Sequence, residues 1–392
     1  MEDSVEPSTT TLQGNRNPGQ RLAALDGLRG MAALAVVVRH TFGAIAMPLD
    51  VRHAFVEGPL GVLTNAMGAV HVFFVLSGFV LAASLGRGRG LSGVIQFYVK
   101  RVFRIYPPYV AALLAAWAAS FVYAIVPLPL GVTEHVAILA HVHLDLPRLL
   151  ASLSFPGIAY QQLPVGWTLR IEMLFSLFLP AMFLVARRLH WTVLMGISML
   201  GLWLPDQYRD FWYALAFSAG IAIFLDAGSL AASVHWCSWP VTALGVVASL
   251  CLLDAPFLVG WTTIRAGILI GGFDRPSVVL ITIGAAGMIL AALHVQWFSS
   301  ALASRPCVWL GKISYSLYLL HMTALIACTF VYAPSATWLA GVILVALVVG
   351  VSCALAAVSY QWIERPFIHA GNALCVWLSS RMGTTAVPSR DI

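Results

Sequence analysis

The sequence predicts an all-α fold, a polytopic bundle of membrane-spanning helices with about ten crossings and both termini on the cytoplasmic side. Two observations set the class. Of the 392 residues, 60% are hydrophobic and only 10% are charged, against roughly a quarter charged in ordinary soluble domains. Apolar runs of about 17 to 25 residues, long enough for a hydrocarbon core roughly 30 Å thick, recur from residue 28 to residue 358. The distribution of Lys and Arg supplies the topology.

The spans are placed, in order, at 28–47, 70–86, 105–126, 171–187, 190–205, 211–227, 237–253, 277–298, 313–333 and 336–358. Residues 1–26, rich in Thr, Glu, Asn, Pro and Gln, lack a basic start followed by an apolar core, so they are expected to be a disordered cytoplasmic tail rather than a cleavable leader. The first span then acts as its own anchor. Residues 127–166, with His135, His141 and His143, are expected to form a long outer loop. The stretch 254–276 holds Arg265 and is broken by Gly267, Gly271 and Gly272, so it is expected to be an outer or re-entrant loop. With ten crossings, fourteen Lys and Arg residues fall on the cytoplasmic side and six on the outer side, the asymmetry of the positive-inside rule. The span-bearing region is 27–366, followed by a cytoplasmic tail at 367–392.

A formal charge of +6 would point to nucleic acid in a soluble protein, but in this chain the charge is sorted by side of the membrane and no nucleic-acid partner is expected. Cys237, Cys251, Cys307, Cys328, Cys353 and Cys375 show no C-x-x-C spacing and read as small core hydrophobes. No metal site is expected.

The first span, "GLRGMAALAVVVRHTFG" (27–43), carries Arg29, Arg39 and His40. At about 100° and 1.5 Å per residue, His40 returns to within about 20° of Arg29, some 16 Å further along the axis. The two share one wall, with Arg29 near the cytoplasmic mouth and His40 in the outer half. An ionisable group at that depth costs at least about 2.5 kcal/mol and normally faces a polar cavity or a partner. One reading makes the pair functional; the other makes His40 a buried hydrogen-bonding residue and lets Arg29 snorkel to the surface. Arg39 points roughly 100° away and reads as half of a structural ion pair.

"PVGWTLRIEMLFSLFLP" (164–180) brings Glu172 about one turn into the fourth span, at a depth where it could meet His40 and fix its tautomer. The competing reading pairs Glu172 with Arg39 or Arg170. "YVKRVFRIYPPYV" (98–110) puts Lys100, Arg101 and Arg104 on the first turns of the third span. Such a cluster anchors helices among anionic headgroups, yet Arg101 and Arg104 share a face and suit a phosphorylated cytosolic ligand.

Taken together, the ordered motifs resemble acyltransferase family 3, the integral-membrane O-acyltransferases that include O-antigen and exopolysaccharide acetylases and macrolide acyltransferases. "LDGLRGMAALAVVVRH" (25–40) resembles the opening Arg-x10-His motif, "VHVFFVLSGFVLA" (70–82) the second-helix signature and "KRVFRIYPPY" (100–109) the basic start of the third helix. "VGWTLRIEMLF" (165–175), "LGKISYSLYLLH" (310–321) and "IERPF" (363–367) are similar to three further elements. His71 stands where many members have Asp, and Phe175-Ser176 replaces an aromatic pair.

The resemblance implies transfer of an acyl group from cytosolic acyl-CoA, a co-substrate rather than a cofactor, to a hydroxyl of a carbohydrate or other hydroxylated metabolite, in a bacterial plasma (inner) membrane. It implies His40 as the essential base with Glu172 as its acid partner, Arg29 on the path of the pantetheine arm, and Arg101 and Arg104 on the CoA phosphates. Ser77 and Tyr315 are candidate oxyanion donors, and His321 is either catalytic or structural. A transporter using the same buried charges is the rival from another class. The oligomeric state is not readable from the sequence.

Overall fold

In a computed structural model of the chain, residues 18–44, 61, 64–88, 90–127, 131–140, 146–154, 163–226, 229, 238–265, 275–332 and 337–382 are described. The described part of each apolar run singled out above is mainly helical. The first, α1, spans Pro18–Ala44, starting ten residues earlier than expected because Pro18 fits a first helical turn. It is followed by α2 (Ala66–Arg87), α3 (Gly90–Ile125), α4 (Glu134–Ala140), α5 (Leu146–Ser154), α6 (Gly166–Leu189) and α7 (Trp191–Gly201). A 3-10 turn, Asp206–Tyr213, leads into α8 (Ala214–Leu225); α9 (Trp239–Arg265), α10 (Arg275–His294), α11 (Gln296–Leu302), α12 (Arg305–Val331) and α13 (Trp338–Ser359) follow. A π-helical turn, Tyr360–Glu364, joins α13 to α14 (Arg365–Arg381).

Six helical stretches are long and apolar enough to cross a membrane: Ala66–Arg87, Gly90–Ile125, Gly166–Leu189, Arg275–His294, Arg305–Val331 and the continuous run Leu339–Arg381. Trp191–Gly201 and Trp239–Ala255 are shorter apolar helices. The chain is a multi-pass membrane protein. Its outer surface agrees, since Leu114, Phe121 and Val122 on α3 and Leu177, Phe178 and Leu184 on α6 are exposed, an arrangement that water would penalise and hydrocarbon favours.

Two expectations are corrected. Residues 18–26 are helical rather than a disordered tail, and the rest of that tail, 1–17, lies outside the described residues. Residues 254–265 continue α9 rather than starting a loop, while 266–274 lie outside the described residues. The segment expected as the C-terminal tail from 367 is helical to Arg381 and packs on α3, with Cys375 Sγ 3.6 Å from the Gln96 carbonyl. Within the expected outer loop, α4 and α5 are ordered, and His141 and His143 lie outside the described residues. Tyr109 Oη donates to the Ser152 carbonyl at 2.7 Å, and Tyr106 Oη to that of Leu153, tying α5 to α3. Of the cysteines, Cys328 and Cys375 are buried as expected, Cys251 is exposed on the apolar surface, and Cys237 lies outside the described residues.

The core divides into two apolar layers. One joins α2, α6 and α8 through Phe74, Phe175 and Phe217, whose rings stack at 5.2 and 4.7 Å between centroids. His71 is buried here against Phe74 and Tyr213, its Nδ1 3.0 Å from the Met67 carbonyl, so the departure from the family's Asp is absorbed into packing. The other layer joins α1, α3, α12 and α13.

The contact that fixes the site is between α1 and α12. A Cβ on Gly30 would meet the backbone of Leu310 and Gly311, and one on Gly311 would meet the Asp26 carbonyl. Only glycine permits this backbone approach, the device that small residues provide between membrane helices. We expect Gly311→Val to lower unfolding stability by about 1–3 kcal/mol or more. Gly350→Ala, whose added Cβ would meet nothing within 4 Å, should leave stability unchanged or raise it by up to about 1 kcal/mol. Thermal unfolding in detergent checks both, and equal effects would contradict the assignment.

Candidate active site

A cavity of about 180 Å³ opens between α1, α2, α3, α6 and α12, with Ile368 and Asn372 of α14 at its rim. Its polar lining is strongly cationic: Arg29, Arg87, Lys100, Arg101 and Arg104 face it, with Glu172 as the one carboxylate among its lining residues. Asp26 and Glu364 stand behind Arg29 and Arg104 close enough to offset part of the charge. Among the described residues, five cations, Arg87 exposed and the other four partly buried, stand against three carboxylates, a balance suited to an anionic ligand.

Sequence and local folding place each charge. The tight connection between Arg87 and Gly90 makes α2 and α3 neighbours, so the last basic residue of α2 lands beside the first basic turns of α3. Arg87 was not among the expected site residues; the short connection from α2 to α3 is the signal that could have placed it there. Pro107 and Pro108 lie inside α3 and remove the N–H groups that would bond the carbonyls of Phe103 and Arg104. Tyr315 reaches the same region, its Oη donating to the Ile105 carbonyl at 2.8 Å.

Glu172 does not hold His40. Its Oε1 accepts from Arg101 Nη2 at 2.7 Å and from Ser77 Oγ at 3.3 Å, and Arg101 also donates to Ser176 Oγ from Nε and Nη2 at 3.2 and 3.0 Å. Glu172 instead stands within electrostatic reach of Arg29 and Arg104 as well as Arg101, at the cavity rather than beside His40. Neither alternative structural pair forms either, because Arg170 bonds Asp210 at 2.8 Å. Arg39 instead lies within electrostatic reach of Asp254 on α9. Asp254 is 1% exposed and accepts from Asn65 Nδ2 at 2.8 Å, at the start of α2.

Arg29 and His40 do share the inner wall of α1, but at different stations. Arg29 lines the cavity, while His40, half-buried four residues from the end of α1, lies outside its lining. His40 Nδ1 is 3.0 Å from Nε2 of His321, which is fully buried. His321 Nδ1 is in turn 2.8 Å from the Tyr318 carbonyl. Tyr318 closes the gap between the two stations, because its ring lines the cavity and lies 5.9 Å from that of His321. Thr168 Oγ1 donates to the Val165 carbonyl at 2.8 Å, so the 2.8 Å contact between Thr168 and Tyr318 has the tyrosine as donor. The hydroxyl protons of Ser77 and Tyr315, the two expected oxyanion donors, are likewise directed at Glu172 and the Ile105 carbonyl.

The helices of this multi-pass membrane protein thus enclose a cation-lined cavity, joined through one tyrosine to a histidine pair. Residues 22–357 match the family model described as "Acyltransferase domain", and the chain belongs to this family, acyltransferase family 3. It is 27% identical over 330 residues to "Acyltransferase MdmB" of Streptomyces mycarofaciens, covering 77% of this chain and 78% of that protein. A 111-residue segment is 39% identical to "Protein 2 in picA locus" of Rhizobium radiobacter, 28% of this chain and 50% of the other. Over 409 residues the chain is 23% identical to "Putative O-acetyltransferase SAR0937" of Staphylococcus aureus (strain MRSA252), 92% of this chain but 59% of that longer protein. No solved structure matches. The protein is an acyltransferase, and the transporter reading is set aside.

The Arg101–Glu172 pair is mostly buried, its side chains 13% and 24% exposed, so removing one partner strands the other. In a double-mutant cycle, Arg101→Leu and Glu172→Leu should each destabilise the protein more than additivity with the double variant allows, with a coupling of about 1–3 kcal/mol. Additive losses in thermal unfolding would show that the pair does not organise the cavity.

Proposed function

We propose that the chain moves an acyl group, in the first instance acetyl, from cytosolic acyl-CoA to a hydroxyl of a surface carbohydrate or exported glycan in the bacterial plasma membrane. The excess of cationic side chains around a cavity inside a helical membrane protein is the observation that carries the donor. A CoA ester is a polyphosphate joined by a slender arm to a thioester, and Arg is suited to gripping its phosphate oxygens in pairs. Arg101, held by Glu172 and Ser176, presents a fixed fork beside Arg104, with Lys100 and Arg87 at the rim. Arg29 lies on the way of the pantetheine arm. The reading needs ten crossings with both termini in the cytoplasm, which the distribution of Lys and Arg supports, and no resident cofactor or metal.

His40 is the general base. It takes the acceptor's hydroxyl proton as that oxygen attacks the thioester carbonyl; the tetrahedral intermediate then expels the CoA thiolate, which takes the proton back from His40. A thioester is already activated, so a positioned base and aligned substrates supply most of what the reaction requires. Glu172 acts here as the residue that positions Arg101. The acceptor is alternatively a small hydroxylated metabolite, as the resemblance to macrolide acyltransferases implies.

Purified protein in nanodiscs, given acetyl-CoA and hydroxylated acceptors, should release free thiol only when acceptor is present. His40→Ala should lower that rate roughly 10²-fold or more, and Arg104→Ala should raise the KM for acetyl-CoA by about tenfold with a smaller change in kcat. A fully active His40→Ala protein would overturn the assignment of the base. Mass spectrometry of surface polysaccharide and of culture extracts, with and without the gene, separates the two acceptor classes by the fraction that loses an acyl mark.

A further inference from the structure

We infer that His321 is the positioning residue of the base: it holds His40 as the tautomer protonated on Nδ1 and so puts the reactive lone pair on Nε2. The inference rests on the proposed role of His40. The argument is one of proton inventory. A backbone carbonyl can only accept, so the 2.8 Å contact between His321 Nδ1 and the Tyr318 carbonyl places a proton on that nitrogen. His321 is fully buried, and among the described residues it meets the His40 ring, the ring and carbonyl of Tyr318 and the Leu317 carbonyl. With no carboxylate among these described contacts, it is the neutral imidazole that fits that apolar position. Its Nε2 is therefore an acceptor, and the 3.0 Å contact obliges His40 Nδ1 to be the donor.

Ring geometry agrees. The centroids lie 5.1 Å apart while the nearest nitrogens are at 3.0 Å, so the rings meet nitrogen to nitrogen along their edges rather than face to face. The placement is also built into the backbone. His40 lies ten residues after Gly30, and His321 ten residues after Gly311. Those two glycines are the contact that locks α1 to α12. Two helices running the same way from one close contact meet again at that spacing, as successive core positions of a parallel pair do. A hydrogen-bonded neighbour that fixes the tautomer and orientation of a catalytic histidine is what an aspartate supplies in the serine-protease triad. Here a second imidazole supplies it, and it does so without adding a charge to the outer half of the bundle.

The experiment compares His321→Gln, His321→Asn and His321→Ala at equal amounts of folded protein. A glutamine carbonyl can reach the place of Nε2 and accept from His40, whereas asparagine imitates only the Nδ1 side that faces the Tyr318 carbonyl. We expect His321→Gln to retain thiol release within about tenfold of the unmodified protein, and His321→Asn and His321→Ala to lose roughly 10²-fold or more. Asparagine matching glutamine, or alanine at the unmodified rate, would overturn the inference. Independently of activity, NMR of the ¹⁵N-labelled imidazoles of the unmodified protein should show both His40 and His321 protonated on Nδ1. His40 protonated on Nε2 alone would refute it. A fully active His40→Ala variant would instead defeat the functional reading while leaving the tautomer result standing.

Discussion

The rest of the structure depends on a backbone contact between α1 and α12. Gly30 and Gly311 leave no room for side chains where the two helices meet, and van der Waals contact at that separation takes the place of the hydrophobic force that lipid cannot supply. From that contact the helices diverge little before His40 reaches His321 at 3.0 Å. The same contact sets the azimuth of α1, which turns Arg29 into the cavity. One packing decision therefore aims both ends of the α1 stripe.

The two stations on that stripe differ in electrostatic character, and the difference follows the chemistry. The cavity gathers cations and pins one of them, Arg101, by a 2.7 Å bond to Glu172, a fixed array suited to a polyanion. His321 meets the His40 imidazole and backbone carbonyls, a setting suited to moving one proton. Between the two stations, Tyr318 and Thr168 join at 2.8 Å. Membership of an acyltransferase family gives the proposed division its use: a donor gripped by its phosphates at one station would be attacked at the other.

Much of this was legible in the sequence because hydropathy and helical periodicity are one-dimensional. The described part of each apolar run is mainly helical, and the eleven-residue spacing from Arg29 to His40 did put both on an interior wall. What failed was the placement of Glu172. Its position one turn into α6 does not say which neighbour the helix turns it toward, and it faces Arg101 of α3 at the cavity rather than His40. Arg39 was read as half of an ion pair without a named partner on α9, because Asp254, which lies within its electrostatic reach, falls in a stretch whose glycines suggested a loop. The helices at 18–26 and 365–381 were missed because they are too polar for an apolar-run criterion. The equal ten-residue intervals from Gly30 to His40 and from Gly311 to His321 were present in the motifs, but their meaning required knowing that α1 and α12 touch.

The most direct measurement is a cryo-EM structure of the protein in nanodiscs with a non-transferable thioether analogue of acetyl-CoA. The account predicts phosphates against Arg101 and Arg104, the arm passing Arg29, and the acyl end beyond Tyr318 facing Nε2 of His40. An analogue bound outside the cationic cavity, or with its acyl end turned away from His40, would contradict it.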